Sequence, residues 1–226
     1  LFLFFFGGLM AMIGEKDAAY LRDMFSKKLQ NEVNLMVFTS SDGTCQLCDK
    51  NIELINELAK LSDKIKVTVY DIKKNEKEAK FLEVDKVPAI VIGGKKIYNA
   101  YYFGMPYGHE FSALVNDIIE ASAGETGLKK ETKEQLKKVD KKLDIKVFVT
   151  PTCPYCPISV HMAHQFAIES DKIKSSMIEA MEFPELADKY SVMAVPKIVI
   201  NDKVEFEGAV PEEMFMQYVQ EALEKS

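Results

Sequence analysis

"TPTCPYCPIS" (residues 150–159) and "DGTCQLCDKN" (residues 42–51) together hold all four cysteines of this 226-residue chain. Two thiols with two residues between them can clasp a metal, staple a loop or trade electrons. A zinc ribbon sets its two pairs about 15 to 20 residues apart, whereas 105 residues separate Cys48 from Cys153. A secreted disulfide scaffold scatters its cysteines through a short, loop-rich chain. This chain is long and has no cysteine outside the two pairs. The thiols therefore read as working groups, with a metal site and a purely structural disulfide as the alternatives.

Working outward, the two stretches are copies. Cys45 and Cys153 are 108 residues apart. Pro88, in "KVPAIVI", follows Cys45 by 43 residues, and Pro196, in "AVPKIVI", follows Cys153 by the same 43. One unit of about 100 residues is present twice. The copies differ in detail: six positions lead from Thr39 to Cys45 but three from Thr150 to Cys153, and Gly104 follows Pro88 by 16 residues where Gly208 follows Pro196 by 12.

Periodicity supplies the elements. Residues 15–30 have Ala18, Ala19, Leu21, Met24 and Phe25 at helical spacing, and residues 130–141 are their counterpart. "NLMVFT" and "IKVFVT" are apolar, β-branched runs expected of buried strands. Each C-x-x-C then opens a helix, followed by strands at "KVTVYDI" and "SMIEAMEF", short helices, and the Pro-led strands with hairpin turns at "GGKK" and "NDK". Helices over 108–121 and 211–224 close the units. The order α-β-α-β-α-β-β-α predicts an α/β chain of two tandem units, each a mixed four-stranded sheet flanked by helices. The polar, glycine-bearing stretch "SAGETGLKK" marks the boundary, giving units at 14–121 and 122–226.

Residues 1–13, beginning "LFLFFF", read as an apolar extension on the surface or at a contact. They are too few for a membrane span and lack the cationic start of a signal peptide, a trimmed export signal being the other reading. The net charge of −6, with acids and bases mixed along the chain, argues against a nucleic-acid binder led by a basic field. No Gly-rich dinucleotide fingerprint follows a strand, so no bound organic cofactor is expected. Nor is a metal.

The chemistry follows from placement. A helix N-terminus presents free N–H groups and the positive end of the peptide dipole. That environment lowers a cysteine pKa and makes Cys45 and Cys153 the expected nucleophiles, with Thr44 and Thr152 as expected caps. Cys48 and Cys156, one turn on, are the expected resolving thiols. A cis Val-Pro bond at Val87-Pro88 and Val195-Pro196 would bring a strand end beside the thiols, where its backbone could pair with an extended substrate.

These features resemble the thioredoxin superfamily: strand, CxxC, helix and a distant Val-Pro. Two such units in tandem, with "CPYC" in the second and "FGMPYGHEF" closing the first, are similar to the protein disulfide oxidoreductases of hyperthermophiles, which are glutaredoxin-like or protein-disulfide-isomerase-like. The resemblance covers residues 14–226. It implies dithiol–disulfide exchange, redox activity at both pairs, and cis prolines at 88 and 196. The expected substrate-contacting residues are Val87, Pro88, Val195, Pro196 and Tyr155. Pro-Tyr between the cysteines is the glutaredoxin pair, placing Cys153–Cys156 at roughly −200 to −230 mV. The expected partners are client proteins with thiols or disulfides, and a thioredoxin-reductase-like flavoprotein. The expected localisation is the cytoplasm, with neither nucleic acid nor membrane bound. An electron carrier between such a flavoprotein and a peroxidase, and a chaperone-like binding module, are the competing readings.

A few other residues have types suited to chemistry. Glu53, Asp71 and Glu182 are candidate proton acceptors for a resolving thiol, against plain solvation. His161 and His164 lie three apart on one helix, but without an evident third ligand they read as packed or solvated. His109 reads as an ordinary residue near a helix start. "YDIKKNEKEAK" reads as a solvated face, and the 11 methionines as core filling more than a binding surface.

Overall fold

The computed structural model describes residues 11–225. The first copy runs α1 (Glu15–Lys28), β1 (Val33–Thr39), α2 (Cys48–Ala59), β2 (Ile65–Asp71), α3 (Glu76–Phe81), β3 (Ala89–Gly93), β4 (Ile97–Phe103) and α4 (Phe111–Ala123). The second runs α5 (Lys130–Leu136), β5 (Leu143–Val149), α6 (Cys156–Glu169), β6 (Ile173–Glu179), α7 (Pro184–Lys189), β7 (Lys197–Ile200), β8 (Val204–Glu207) and α8 (Glu212–Glu224). The element order is the one the repeat predicts.

β1 and β5 are apolar on both faces because helices cover both. Leu35, Val37, Ile145 and Val147 point into the large core shared with α1, α2, α4 and α6, while Phe38 and Phe148 face the smaller core under α3 and α7. The Pro-led strands β3 and β7 lie antiparallel to β1 and β5, and β2 and β6 run parallel to them. The second hairpin turns at Asn201 and Asp202, both at positive φ, as a tight type I′ turn requires.

The structure adds to three expectations. First, the two four-stranded sheets are the halves of one. β4 pairs in parallel with β6, from Ala100↔Ser175 to Phe103↔Ile178, giving one eight-stranded sheet ordered β2-β1-β3-β4-β6-β5-β7-β8. The run "AYYF" carries that signal: residues 100–103 are all buried, which an open hairpin edge would not permit. Second, β6 begins at Ile173, earlier than "SMIEAMEF", because Ser175 and Ser176 are polar yet buried in the joined sheet. Third, the apolar extension does not end on the surface. Residues 1–10 lie outside the described residues, but Ile13 is buried in the core. The Met12 and Ile13 N–H groups donate to the Glu57 carboxylate at 3.1 and 2.9 Å.

The join is tight where the first copy ends. Gly104 sits at φ +98°, and a β-carbon there would come within 2.5 Å of the Glu179 β-carbon. Gly108, at φ +63°, opens a 3-10 turn (Gly108–Glu110), and a β-carbon would collide with the Pro151 carbonyl. Only glycine supplies both the backbone and the space. Among the described residues no helix is long and apolar enough to cross a membrane.

Candidate redox centres

The two cysteine pairs stand at the ends of β1 and β5, each leading into its helix. Both are disulfide-bonded with Cα atoms 5.5 Å apart. The helices begin at the second cysteine of each pair, not the first. Their N-caps are Leu47 and Tyr155, and neither makes a side-chain capping bond. Thr44 does not cap; its hydroxyl donates to Asp42 at 2.6 Å. The orphan amide at the start of α6 finds a sulfur instead: the Cys156 N–H points at Cys153 Sγ, 3.1 Å away. In the second centre a helix-terminal N–H thus faces the first cysteine's sulfur, the geometry that the expected stabilisation of a thiolate calls for.

Val87-Pro88 and Val195-Pro196 are both cis. The Val195 carbonyl oxygen lies 3.6 Å from Cys153 Sγ, so the bend reaches the sulfur. Each proline's carbonyl accepts from a positive-φ glycine, Gly104 at 2.9 Å and Gly208 at 2.8 Å, which ties the bend to the following strand in both copies. Cys48, Cys153 and Cys156 are buried, Cys45 is half-buried, and Tyr155 is 63% exposed beside its pair.

The longer loop ahead of Cys45 is fastened by acids. Asp71 accepts from the Ser41 N–H at 2.9 Å, and hydrogen bonds from Ser41 and the Lys74 N–H hold it at about 2. Asp42 pairs with Lys73 at 2.6 Å. Asp71 is thus a loop anchor, and a carboxyl held that low is a poor proton acceptor. Glu53 is exposed. Glu182 is half-buried between the copies, accepts from the Met105 N–H at 2.7 Å, and is pushed up to about 7 by burial.

One strongly raised carboxyl is not singled out by sequence reasoning. Glu110 is 1% exposed, and among the described residues neither carboxyl oxygen has a hydrogen-bond partner. Burial, then the charges of Asp117 and Glu179, push it up to about 8. It belongs to the first copy, and the Gly108–Glu110 turn that carries it lies against α6 of the second. α4 and α6 run side by side in parallel: Asp117 meets His161 and His164, and Glu120 meets His161 and Gln165, partners 41 to 47 positions ahead. The His109 N–H reaches the Pro151 carbonyl at 3.1 Å in the same register.

His161 and His164 are packed as expected, but onto a shared carboxylate. Each Nδ1 is 2.5 Å from Asp117, which also accepts from the Tyr102 hydroxyl. Burial opposes the charge on Asp117, yet the two imidazoles hold it below its ordinary range. Burial also opposes the charge on His161, and Asp117 overcomes it and raises that imidazole. Among the described residues no group of three or more His, Cys, Asp or Glu side chains is arranged to hold a metal ion. In the charge run, Lys73, Lys74, Glu76 and Lys77 are exposed, as a solvated face requires.

Comparison with known proteins agrees with this geometry. A family model for the thioredoxin domain matches residues 143–221. The chain is 39% identical over 83 residues to the thioredoxin of Methanocaldococcus jannaschii, spanning 36% of this chain and 98% of that protein. It is 27% identical over 180 residues to a subunit of the alkyl hydroperoxide reductase of Staphylococcus epidermidis, 77% of this chain but only 33% of that longer relative. The crystal structure of a protein disulfide oxidoreductase from Aeropyrum pernix superposes with a TM-score of 0.88 at 34% identity, covering 94% of both chains. With two CxxC pairs on tandem thioredoxin-like units, this chain belongs to the protein disulfide oxidoreductases.

Proposed function

We propose that the protein exchanges disulfides with client proteins through both pairs, and that units 14–121 and 122–226 each carry one centre. In the second, the Cys153 thiolate attacks a client disulfide and the distal client sulfur leaves as a thiolate. Cys156 then loses its proton, attacks Cys153 and expels the second client thiolate, leaving Cys153–Cys156 oxidised. The reverse sequence oxidises a client dithiol. Cys45 and Cys48 take the same roles in the first centre. Val195-Pro196 and Val87-Pro88 hold the client strand, and Tyr155 flanks it. Glu110, buried in the turn that lies against α6, accepts the Cys156 proton; burial raises it to about 8, toward the range of a thiol.

The observation that carries this reading is the convergence on Cys153 Sγ of a helix-terminal N–H at 3.1 Å and the cis-proline carbonyl at 3.6 Å. The first supports a thiolate; the second sets a strand beside it. Likeness to a subunit of alkyl hydroperoxide reductase favours a second reading, electron carriage from a thioredoxin-reductase-like flavoprotein to a peroxidase. Cysteines used only in exchangeable pairs suit a cytoplasmic setting. The test is a glutathione-buffer titration of two double variants, Cys45→Ser/Cys48→Ser and Cys153→Ser/Cys156→Ser. Each retained pair should form a reversible disulfide, and one that does not is no centre. Reactivation of scrambled ribonuclease without a reductase supports exchange on clients over carriage.

A further inference from the structure

The repeat permits a position-by-position comparison of the two rims. From the cysteines to the prolines the copies align without a gap at an offset of 108. Around Cys153 the rim carries Tyr155, Ile158 and Met193, which are 63%, 52% and 90% exposed. Tyr155 lies within the CxxC turn, Ile158 in the first turn of α6, and Met193 two residues ahead of cis Val195-Pro196. Tyr155 and Ile158 thus belong to the CxxC side of the centre, and Met193 to its cis-proline side. Their counterparts around Cys45 are Leu47, Lys50 and Asp85, with Lys50 and Asp85 exposed and Asp85 ion-paired to Lys86.

Single exposed apolar side chains need no explanation, but three large ones on the segments that carry the second CxxC pair and its cis proline do. We propose that Tyr155, Ile158 and Met193 form a client-reading rim that selects, for Cys153, extended segments with apolar side chains beside the client cysteine. Lys50 and Asp85 withhold the first centre from those segments. The proposal rests on the reading that both pairs exchange disulfides. Covering Ile158 and Met193 with an apolar side chain removes apolar surface from water, and the flexible thioether of Met193 adapts to different neighbours. The same side chain laid on Lys50 or Asp85 would strip water from a charge and gain nothing. The two centres then divide the partners: the second takes non-native polypeptide, while the first is left for partners with polar flanks.

The experiment uses the two double variants above, each retaining one pair. The probes are two short synthetic peptides with one internal disulfide, identical except that Leu and Phe flank one cysteine in the first and Ser and Asn in the second. The ratio of the two reduction rates within each protein cancels any change in thiol reactivity. The second centre should prefer the apolar peptide at least about tenfold, as one or two apolar contacts allow. Adding Ile158→Lys and Met193→Asp should bring that ratio to about one. Adding Lys50→Ile and Asp85→Met to the protein that retains the first centre should raise its ratio. Equal rates on both peptides at an active second centre overturn the proposal alone. A retained pair that also fails to reduce a small aromatic disulfide sinks the exchange reading and the proposal with it. Loss of a dimer on Met193→Asp with peptide preference intact would assign the rim to a second copy of the chain and overturn the proposal.

Discussion

Replacing Glu110 by Gln keeps the shape of the side chain and removes its titration. In the folded protein this carboxyl is pushed up to about 8, against 4.5 for an ordinary glutamate. Between those values the unfolded chain has lost the proton while the folded chain keeps it. Wild-type stability is therefore undiminished below about pH 4.5 and falls as the pH rises to about 8. At about 1.4 kcal/mol per pH unit, the loss is on the order of 4–5 kcal/mol. Glu110 is 1% exposed, so solvent does little to screen it. Glu110→Gln should match wild type near pH 4 and exceed it by several kcal/mol at pH 9. Guanidinium unfolding of both proteins at the two pH values, disulfides intact, measures the difference, and other acids cancel in it. A stability difference that does not grow with pH refutes the burial argument. The variant should also resolve its Cys153 mixed disulfide about a hundredfold more slowly, the usual scale for losing a general base. Stopped-flow single-turnover kinetics reads that step; an unchanged rate would leave Glu110 a buried acid with no part in exchange.

Two further outcomes follow from the seam between the copies. Gly108→Ala meets both a positive φ and the Pro151 carbonyl, and should cost about 2–3 kcal/mol by chemical denaturation; a loss under about half a kcal/mol would mean the seam gives way easily. Asp117→Asn removes the carboxylate that holds two imidazoles and should cost about 3 kcal/mol or more. With Asp117 in place His161 is raised above 6.5, so its contribution is present below pH 6.5 and lost as pH rises through the folded value. In Asp117→Asn the imidazole titration followed by NMR should move downward; an unmoved titration would show that Asp117 is not its cause.

Much of the site is legible in the sequence because it is written in local chemistry. Paired cysteines after an apolar run, and a proline at a fixed distance, place thiols and bend wherever the strand and helix form. The expected cap at Thr44 fails because its hydroxyl has a competing acceptor in Asp42. Asp71 reads as a candidate base but fastens a loop, since its neighbours are N–H donors that no spacing reveals. The sign of Glu110 in the sequence is its seat just ahead of an apolar helix, but an acid there also reads as an N-terminal helix residue.

The sequence by itself determined the unit: its element order, its thiols, the position of its cis proline and its presence twice. These depend on neighbours along the chain and on a repeat that can be counted. Tertiary structure alone decided that β4 meets β6, that the two sheets become one, and that the turn carrying a buried carboxyl of the first copy lies against the helix that Cys156 opens in the second. Those facts rest on burial and on helix register between residues more than 40 positions apart. A carboxyl's pKa responds to the water it loses, and which groups lose water is settled only when the two copies pack.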